Sequence, residues 1–282
     1  MADPTVRRRR LGSELRRMRE SVPLTLDEVA LRADLTATKL SRIETARINV
    51  KPSDLDGILD LYGGVDVAKR AALHTLAKDG GKRGWWQTYR DVISPEYADL
   101  ISLEADARSM RVFQTSLIPG LLQTSAYARA TIDAINMTST ADHVNALVEV
   151  RMARQSVLTR PEPLELWAII HEAALRTTIS GARAMKDQLQ KLLDLSELPH
   201  VSIQVLPLSA TPHPGMAGSF SVIGFSDTTG LDVVLVEGMT SSLYVEDPAE
   251  VSRYGLAYER LRASARPFSE SADLIAELKD TL

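Results

Sequence analysis

The sequence of 282 residues contains no cysteine. That excludes disulfides and any cysteine-ligated zinc or iron–sulfur centre, and it suits a reducing cytosol. No apolar run approaches the ~20 residues that span a bilayer. A cleavable leader is not expected either: Arg7 to Arg10 have the charge of a leader's basic start, but Leu11 to Glu20 is charged throughout and offers no apolar stretch. A cytoplasmic protein without membrane contact is the expectation.

The usual marks of catalysis are missing as well. His171-Glu172 begins like a zinc-protease helix, yet the second histidine would fall at position 175, which is Leu. His200 and His213 are isolated near prolines. The serine near Gly215 and Gly218 does not have the Gly-x-Ser-x-Gly spacing of a nucleophile elbow. Glycine-rich phosphate loops are absent. The sequence therefore predicts no catalytic residues, no metal ligands and no cofactor, and a chain that is not an enzyme. An enzyme fused to a binding module is the rival this disfavours. The segment Pro212–Gly218 is expected to be a mobile loop.

What is present is an uneven distribution of charge. The net charge is −4, but residues 1–83 hold 17 Lys and Arg against 12 Asp and Glu, a balance of +5. The remainder holds 16 against 25, a balance of −9. A basic N-terminal domain on an acidic body fits phosphate binding at one end only.

The N-terminal region reads as short helices. Leu11, Leu15, Met18 and Val22 recur at helical spacing over about 7–20. Thr25 and Glu28 form a capping-box pattern that opens a second helix carrying Leu26, Val29, Ala30 and Ala33 on one face. Asp34-Leu35 is a turn, and Thr36 caps a third helix running to about Thr45. Leu40, Ile43 and Glu44 point to one side of it, while Thr38, Ser41, Arg42 and Thr45 point to the other. Short hydroxyls and an arginine suit hydrogen bonds to base edges in a major groove. Lys39 lies at the border, where a phosphate contact is expected, and Arg47 and Lys51 extend the basic strip. Further helices are expected at about 53–62, ending at Gly63-Gly64, and at about 66–78. Two short helices joined by a tight turn form a helix-turn-helix pattern, although a helical bundle with a solvated charged face has the same spacing. Arg7 to Arg10 read either as a solvated tail or as a flexible arm.

Asp79 to Gly84 is rich in glycine and is the expected linker, dividing a domain over 1–78 from one over 85–282. Trp85-Trp86 after it are expected to anchor the second domain's first helix. Helices are predicted at about 95–115, 124–135, 141–159, 181–196, 248–263 and 270–281. Strands are predicted at Leu164–Ile170, Val201–Leu206, Phe220–Phe225 and Val233–Val236. The second domain is thus expected to be α+β.

Leu24-Thr25 through Val29-Ala30, followed by Lys39-Leu40-Ser41-Arg42-Ile43-Glu44, resemble the Xre/lambda-repressor-like helix-turn-helix family. The resemblance implies an all-α DNA-binding domain that binds operators as a homodimer. It implies a DNA-contacting set of Thr36, Ala37, Thr38, Lys39, Ser41, Arg42, Thr45, Arg47 and Lys51, with Ala37, Thr38 and Arg42 at base-reading positions. Glu44 matches a buried glutamate that pairs with an arginine of the first helix, here Arg19, as a structural ion pair. The sequence departs from the family at Leu26, often glutamine, and at Asp34 and Ala46, often glycine.

Trp85-Trp86, Glu104-Ala105, Ile118-Pro119-Gly120-Leu121-Leu122-Gln123-Thr124, Tyr127-Ala128-Arg129-Ala130, His171-Glu172-Ala173-Ala174-Leu175, Val205-Leu206-Pro207 and Val236-Glu237-Gly238 resemble the uncharacterised C-terminal domain of actinomycete Xre-type regulators, WhiJ-like proteins among them. This implies a DNA-binding transcriptional regulator, often encoded beside a small partner protein in an antitoxin-like arrangement. The expected partners are double-stranded DNA with a palindromic operator, a second copy of the chain, and a small protein or effector. The alternative is a protein-interaction module that sequesters a partner, or is sequestered by it, without binding DNA.

Overall fold

Thr5 starts the first helix before its apolar spacing begins, because its hydroxyl accepts the N–H of Arg8 at 3.4 Å. The computed structural model describes residues 4–77, 84–136, 140–179, 181–210, 212–225 and 231–282. The chain divides into two units, one of residues 1–87 with 225–231 and one of residues 88–224 with 232–282.

The first unit contains helices α1 (Val6–Glu20), α2 (Leu26–Arg32), α3 (Ala37–Glu44), α4 (Pro52–Tyr62) and α5 (Val67–Ala77). Arg7 to Arg10 are neither tail nor arm. They form the opening turns of α1, where Arg7 and Arg10 are only 5% and 1% exposed. Arg10 lies 3.7 Å from Glu14 one turn on, and Arg7 donates to the Thr75 carbonyl. Leu11, Leu15, Val29, Leu40, Ile43, Leu55, Leu59 and Leu73 meet in one core. Each such burial stabilises the fold by roughly 1.5–3 kcal/mol.

The capping box of α2 is complete: Thr25 accepts from the Glu28 N–H, and Glu28 accepts from the Thr25 N–H at 2.8 Å. Helices α2 and α3 then end in the same way. Leu35 and Asp34 donate to the carbonyls of Ala30 and Leu31, and Arg47 and Ala46 donate to those of Arg42 and Ile43. This is the Schellman closure, whose turning residue is left-handed. Asp34 (φ 55°) and Ala46 (φ 59°) occupy that position, the two places where the resemblance leads glycine to be expected. Gly63 (φ 63°) follows α4.

Trp85 and Trp86 lie in a short 3-10 turn, and the boundary between units falls after Gln87. They therefore count with the first unit rather than the second. Residues 79–83 of the expected linker lie outside the described residues.

The second unit holds strands β1 (Ser109–Gln114), β2 (Glu165–His171), β3 (Val201–Leu206), β4 (Phe220–Gly224), β5 (Val233–Glu237) and β6 (Ser242–Val245). They form one sheet in the order β3-β2-β1-β4-β5-β6, parallel from β1 to β3 and antiparallel from β1 through β4 and β5 to β6. Helices α6 (Pro95–Asp106), α7 (Ser125–Ile135), α8 (Ala141–Arg154), α9 (Glu172–Arg176), α10 (Ala182–Ser196), α11 (Pro248–Ser264) and α12 (Phe268–Asp280) complete an α+β unit. The α7–α8 and α9–α10 pairs make the crossovers that parallel strands require.

Two strands differ from expectation. Residues 109–114 extend no helix but form β1 at the centre of the sheet, where pairing on both sides overrides local helical spacing. The short β6 lies at an edge and carries no long apolar run. The segment 212–218 is not a loose loop: it contains a 3-10 turn, Pro214–Ala217, whose Gly215 sits so close to Phe113 that a Cβ would lie 2.2 Å from the ring.

The two sheet edges are treated differently. Along β3, Val205 donates to Ser271 Oγ of α12, and its carbonyl accepts from Arg266. Among the described residues, β6 makes backbone bonds only to β5.

Candidate nucleic-acid interface

Thr36 fixes the start of α3 by accepting the Lys39 N–H at 3.1 Å. The inner face of α3 is then locked at three points. Leu40 and Ile43 enter the core. Glu44 is held by Arg19, whose Nε donates to Oε1 at 2.8 Å and whose Nη2 donates to Oε2 at 3.1 Å. The Glu44 carboxylate in turn holds the Arg19 guanidinium above its ordinary range. Tyr62, beside the pair, is pushed upward by burial and by the Glu44 charge. Gly12 of α1 completes the clamp, because its missing Cβ admits the carbonyls of Ile43 and Glu44.

The outer face is open. Thr36, Thr38, Arg42, Thr45, Arg47 and Lys51 are exposed, whereas Ala37, Lys39 and Ser41 are half-buried. Not every member of the expected set has its polar group available. Lys39 donates to Asp54 at 2.7 Å, so α4 already supplies the anion that a phosphate would have been. Ala37 packs against the core from its edge. The Thr45 hydroxyl donates back to the Ser41 carbonyl at 2.7 Å, which leaves its oxygen to act as an acceptor. Arg42, Arg47 and Lys51 have no carboxylate within 4.0 Å among the described residues, whereas Arg17, Arg19, Lys69 and Arg70 are all paired. Arg32 is likewise exposed and without such a partner, and sequence reasoning passed over it.

Leu26 packs against the core instead of presenting a polar side chain, which accounts for the missing glutamine. Thr36, Thr38, Arg42 and Thr45 thus lie exposed along α3 and its caps, with Ser41 half-buried among them and Arg47 and Lys51 exposed beyond the helix end.

Residues 10–73 match the family described as Helix-turn-helix domain. Residues 97–277, about two thirds of the chain, match the family described as Domain of unknown function (DUF5753). The chain belongs to the DUF5753 family. No curated protein and no solved structure matches it.

The sequence motifs of the DUF5753 region do structural work. Glu104, fully buried, accepts from Arg154 Nε at 2.8 Å and Nη2 at 2.5 Å, and Arg154 also donates to the Tyr97 hydroxyl. A cavity of about 30 Å³ lies beside this pair, between α6 and the sheet, with room for little more than water. The Tyr127 hydroxyl accepts the Ile118 N–H of the turn before α7, and Gln123 donates to the Ile118 carbonyl. His171 caps α9 by accepting the Ala173 N–H. Its pKa is lowered by burial and by His213, whose ring lies 6.1 Å away. Glu172 accepts from the Leu208 N–H and from Arg176. Burial opposes its ionisation, but these bonds outweigh it and hold the carboxyl below its ordinary value. Among the described residues no group of three His, Cys, Asp or Glu is placed to hold a metal, and no helix is long and apolar enough to cross a membrane.

Proposed function

We propose that this chain is a sequence-specific DNA-binding transcriptional regulator of the Xre type, cytoplasmic and nucleoid-associated when bound. The observation that carries the reading is the division of α3. Its inner face is fixed by Leu40, Ile43 and the Arg19–Glu44 pair, while its outer face leaves Arg42 and two following cations without acid partners. A rigid helix with unneutralised cations and hydroxyls outside suits a major groove. The DUF5753 domain serves as a sensor of an effector or partner rather than as an enzyme.

One recognition helix covers half a site, so a second copy is required. The open edge of β6 suits it. Met239 and Leu243 there are 82% and 60% exposed. Antiparallel self-pairing centred on Leu243 sets Glu246 against Thr240 and Asp247 against Met239, so the acids do not face their own copies.

Fluorescence anisotropy on DNA from the chain's own promoter, repeated across salt concentrations, tests the reading. Binding that weakens with salt, with a slope of about −0.9 per neutralised phosphate, supports it. A flat response overturns it in favour of the protein-interaction module.

A further inference from the structure

The turn over residues 118–124 that leads into α7 is gripped by two cations that meet no acid. Arg151, in the last turn of α8, donates from Nη1 to Gln123 Oε1 at 2.9 Å and to Thr131 Oγ1 at 3.4 Å. Lys191 of α10 donates to the Gln123 carbonyl at 2.8 Å and to Gln155 Oε1 at 2.7 Å. Every partner is neutral. Gln123, buried between them, brings both cationic heads to one residue.

Elsewhere in the same unit several cations have a carboxylate: Arg154 has Glu104, Arg176 has Glu172 and Arg111 has Asp232, while half-buried Arg160 is held by the carbonyls of Ala105, Ala107 and Glu162. Arg151 and Lys191 have no carboxylate within 4.0 Å among the described residues. Desolvation lowers the Lys191 pKa, with no nearby acid acting against it. The surrounding sequence from residue 84 onward is strongly acidic, so the pair does not belong to a general basic surface.

Donors remain for a ligand. Among the described residues Arg151 Nη2 makes no hydrogen bond, and Nε, shielded from solvent, has no partner either. Lys191 uses two of its three N–H groups. Both side chains are only half-buried, which leaves them reachable from solvent.

We infer that Arg151 and Lys191 form a binding site for the carboxylate or phosphate group of a small anionic effector. This rests on the reading of the DUF5753 domain as a sensor. An anion bridging the two cations adds a charged link between α8, α10 and the turn at 118–124, which are already joined by the neutral amides of Gln123, Gln155 and Gln188. A carboxylate or phosphate supplies the charge-assisted bonds that neutral amides do not.

Thermal unfolding of the full chain tests the site, with inorganic phosphate in one arm and succinate in the other, at an ionic strength held constant with chloride. Occupancy raises the Tm in a saturable way, by roughly 5 °C at a hundredfold excess over Kd. The arm that responds identifies phosphate or carboxylate as the recognised group. Loss of the response in Arg151→Gln or Lys191→Gln, with retention in Arg129→Gln, supports the assignment. The Lys191 variant stands alone if Arg151→Gln does not fold. No rise with either anion at millimolar concentration overturns the proposal, because the cations are then only tethers of the turn. A rise that persists in the folded variants overturns it as well. DNA plays no part in this readout, and a failed titration leaves the DNA-binding reading intact.

Discussion

Gly12 and Glu44 stand so close that a Cβ on the glycine would lie 2.6 Å from the glutamate's carbonyl oxygen and 2.8 Å from that of Ile43. Both neighbours are backbone at the end of α3, so neither swings away. Alanine at a helix interior normally gains about 1 kcal/mol over glycine. Here overpacking costs about 1–3 kcal/mol or more, since α3 must shift as a body. Gly12→Ala is expected to destabilise the first unit by about 2 kcal/mol and to weaken DNA binding with it. A urea midpoint that rises instead would show that α1 and α3 separate freely.

Arg42 and Glu44, two residues apart, are expected to separate function from fold. Arg42 is exposed and has no carboxylate within 4.0 Å among the described residues, so Arg42→Ala is expected to change stability by no more than about 0.5 kcal/mol. It costs about 1–3 kcal/mol on the specific operator and relaxes the preference at one base pair. Glu44→Ala leaves Arg19 with only the exposed Glu20 at 3.8 Å and costs about 3 kcal/mol of stability. Equal loss on specific and random DNA for Arg42→Ala would remove it from the base-reading set.

Much of the first unit was legible because its signals are local. Thr25 with Glu28, Thr36 before α3 and the apolar spacing of Leu40 and Ile43 each act within a few residues. The fate of Lys39 was not legible, because Asp54 lies fifteen residues away on another helix. Arg7 to Arg10 misled for a similar reason: their burial depends on partners such as Glu14 and the Thr75 carbonyl, while a run of four arginines on its own suggests solvent. In the second unit β1 was hidden because its stability comes from β2 and β4, which are distant in sequence. The pairing of Arg151 and Lys191 through Gln123 has no sequence signature, since three separate elements build it.

Asp34 and Ala46 share a left-handed conformation but differ in exposure, so glycine is expected to act differently at each. A left-handed L-residue costs about 1–2 kcal/mol, and less for Asp. Asp34 is exposed, and Asp34→Gly is expected to be stabilising by about 0.5 kcal/mol, while Asp34→Val is destabilising. At Ala46 the buried methyl is worth about 0.8 kcal/mol, which offsets most of the relief. Ala46→Gly should therefore leave the unfolding midpoint nearly unchanged. A large gain at Ala46 and none at Asp34 would contradict the argument.

Glu14 makes the first unit sensitive to acid. Burial alone would raise its carboxyl, but bonds from Arg17 and Lys69 outweigh burial and hold it below the ordinary value of 4.5. A depressed carboxyl contributes stability that is fully present above pH 4.5 and is lost as pH falls through the folded value. Wild type is thus expected to lose stability more steeply than Glu14→Gln on acidification from about pH 6 to about pH 3. Parallel curves of urea midpoint against pH would rule Glu14 out as the sensitive group.

Leu243 tests the second copy at the β6 edge. A charge on an edge strand blocks edge-to-edge pairing without disturbing the strand's other side. Leu243 is 60% exposed, so lysine there removes little burial within the chain. Leu243→Lys is expected to keep the wild-type Tm at low protein concentration while shifting the mass in sedimentation from dimer to monomer. Operator affinity then falls, because each half-site is bound separately. Lys51→Ala, which removes a candidate phosphate contact and leaves β6 untouched, is expected instead to keep the dimer and to lower the salt slope by about one. A Leu243→Lys protein that remains dimeric would place the interface elsewhere.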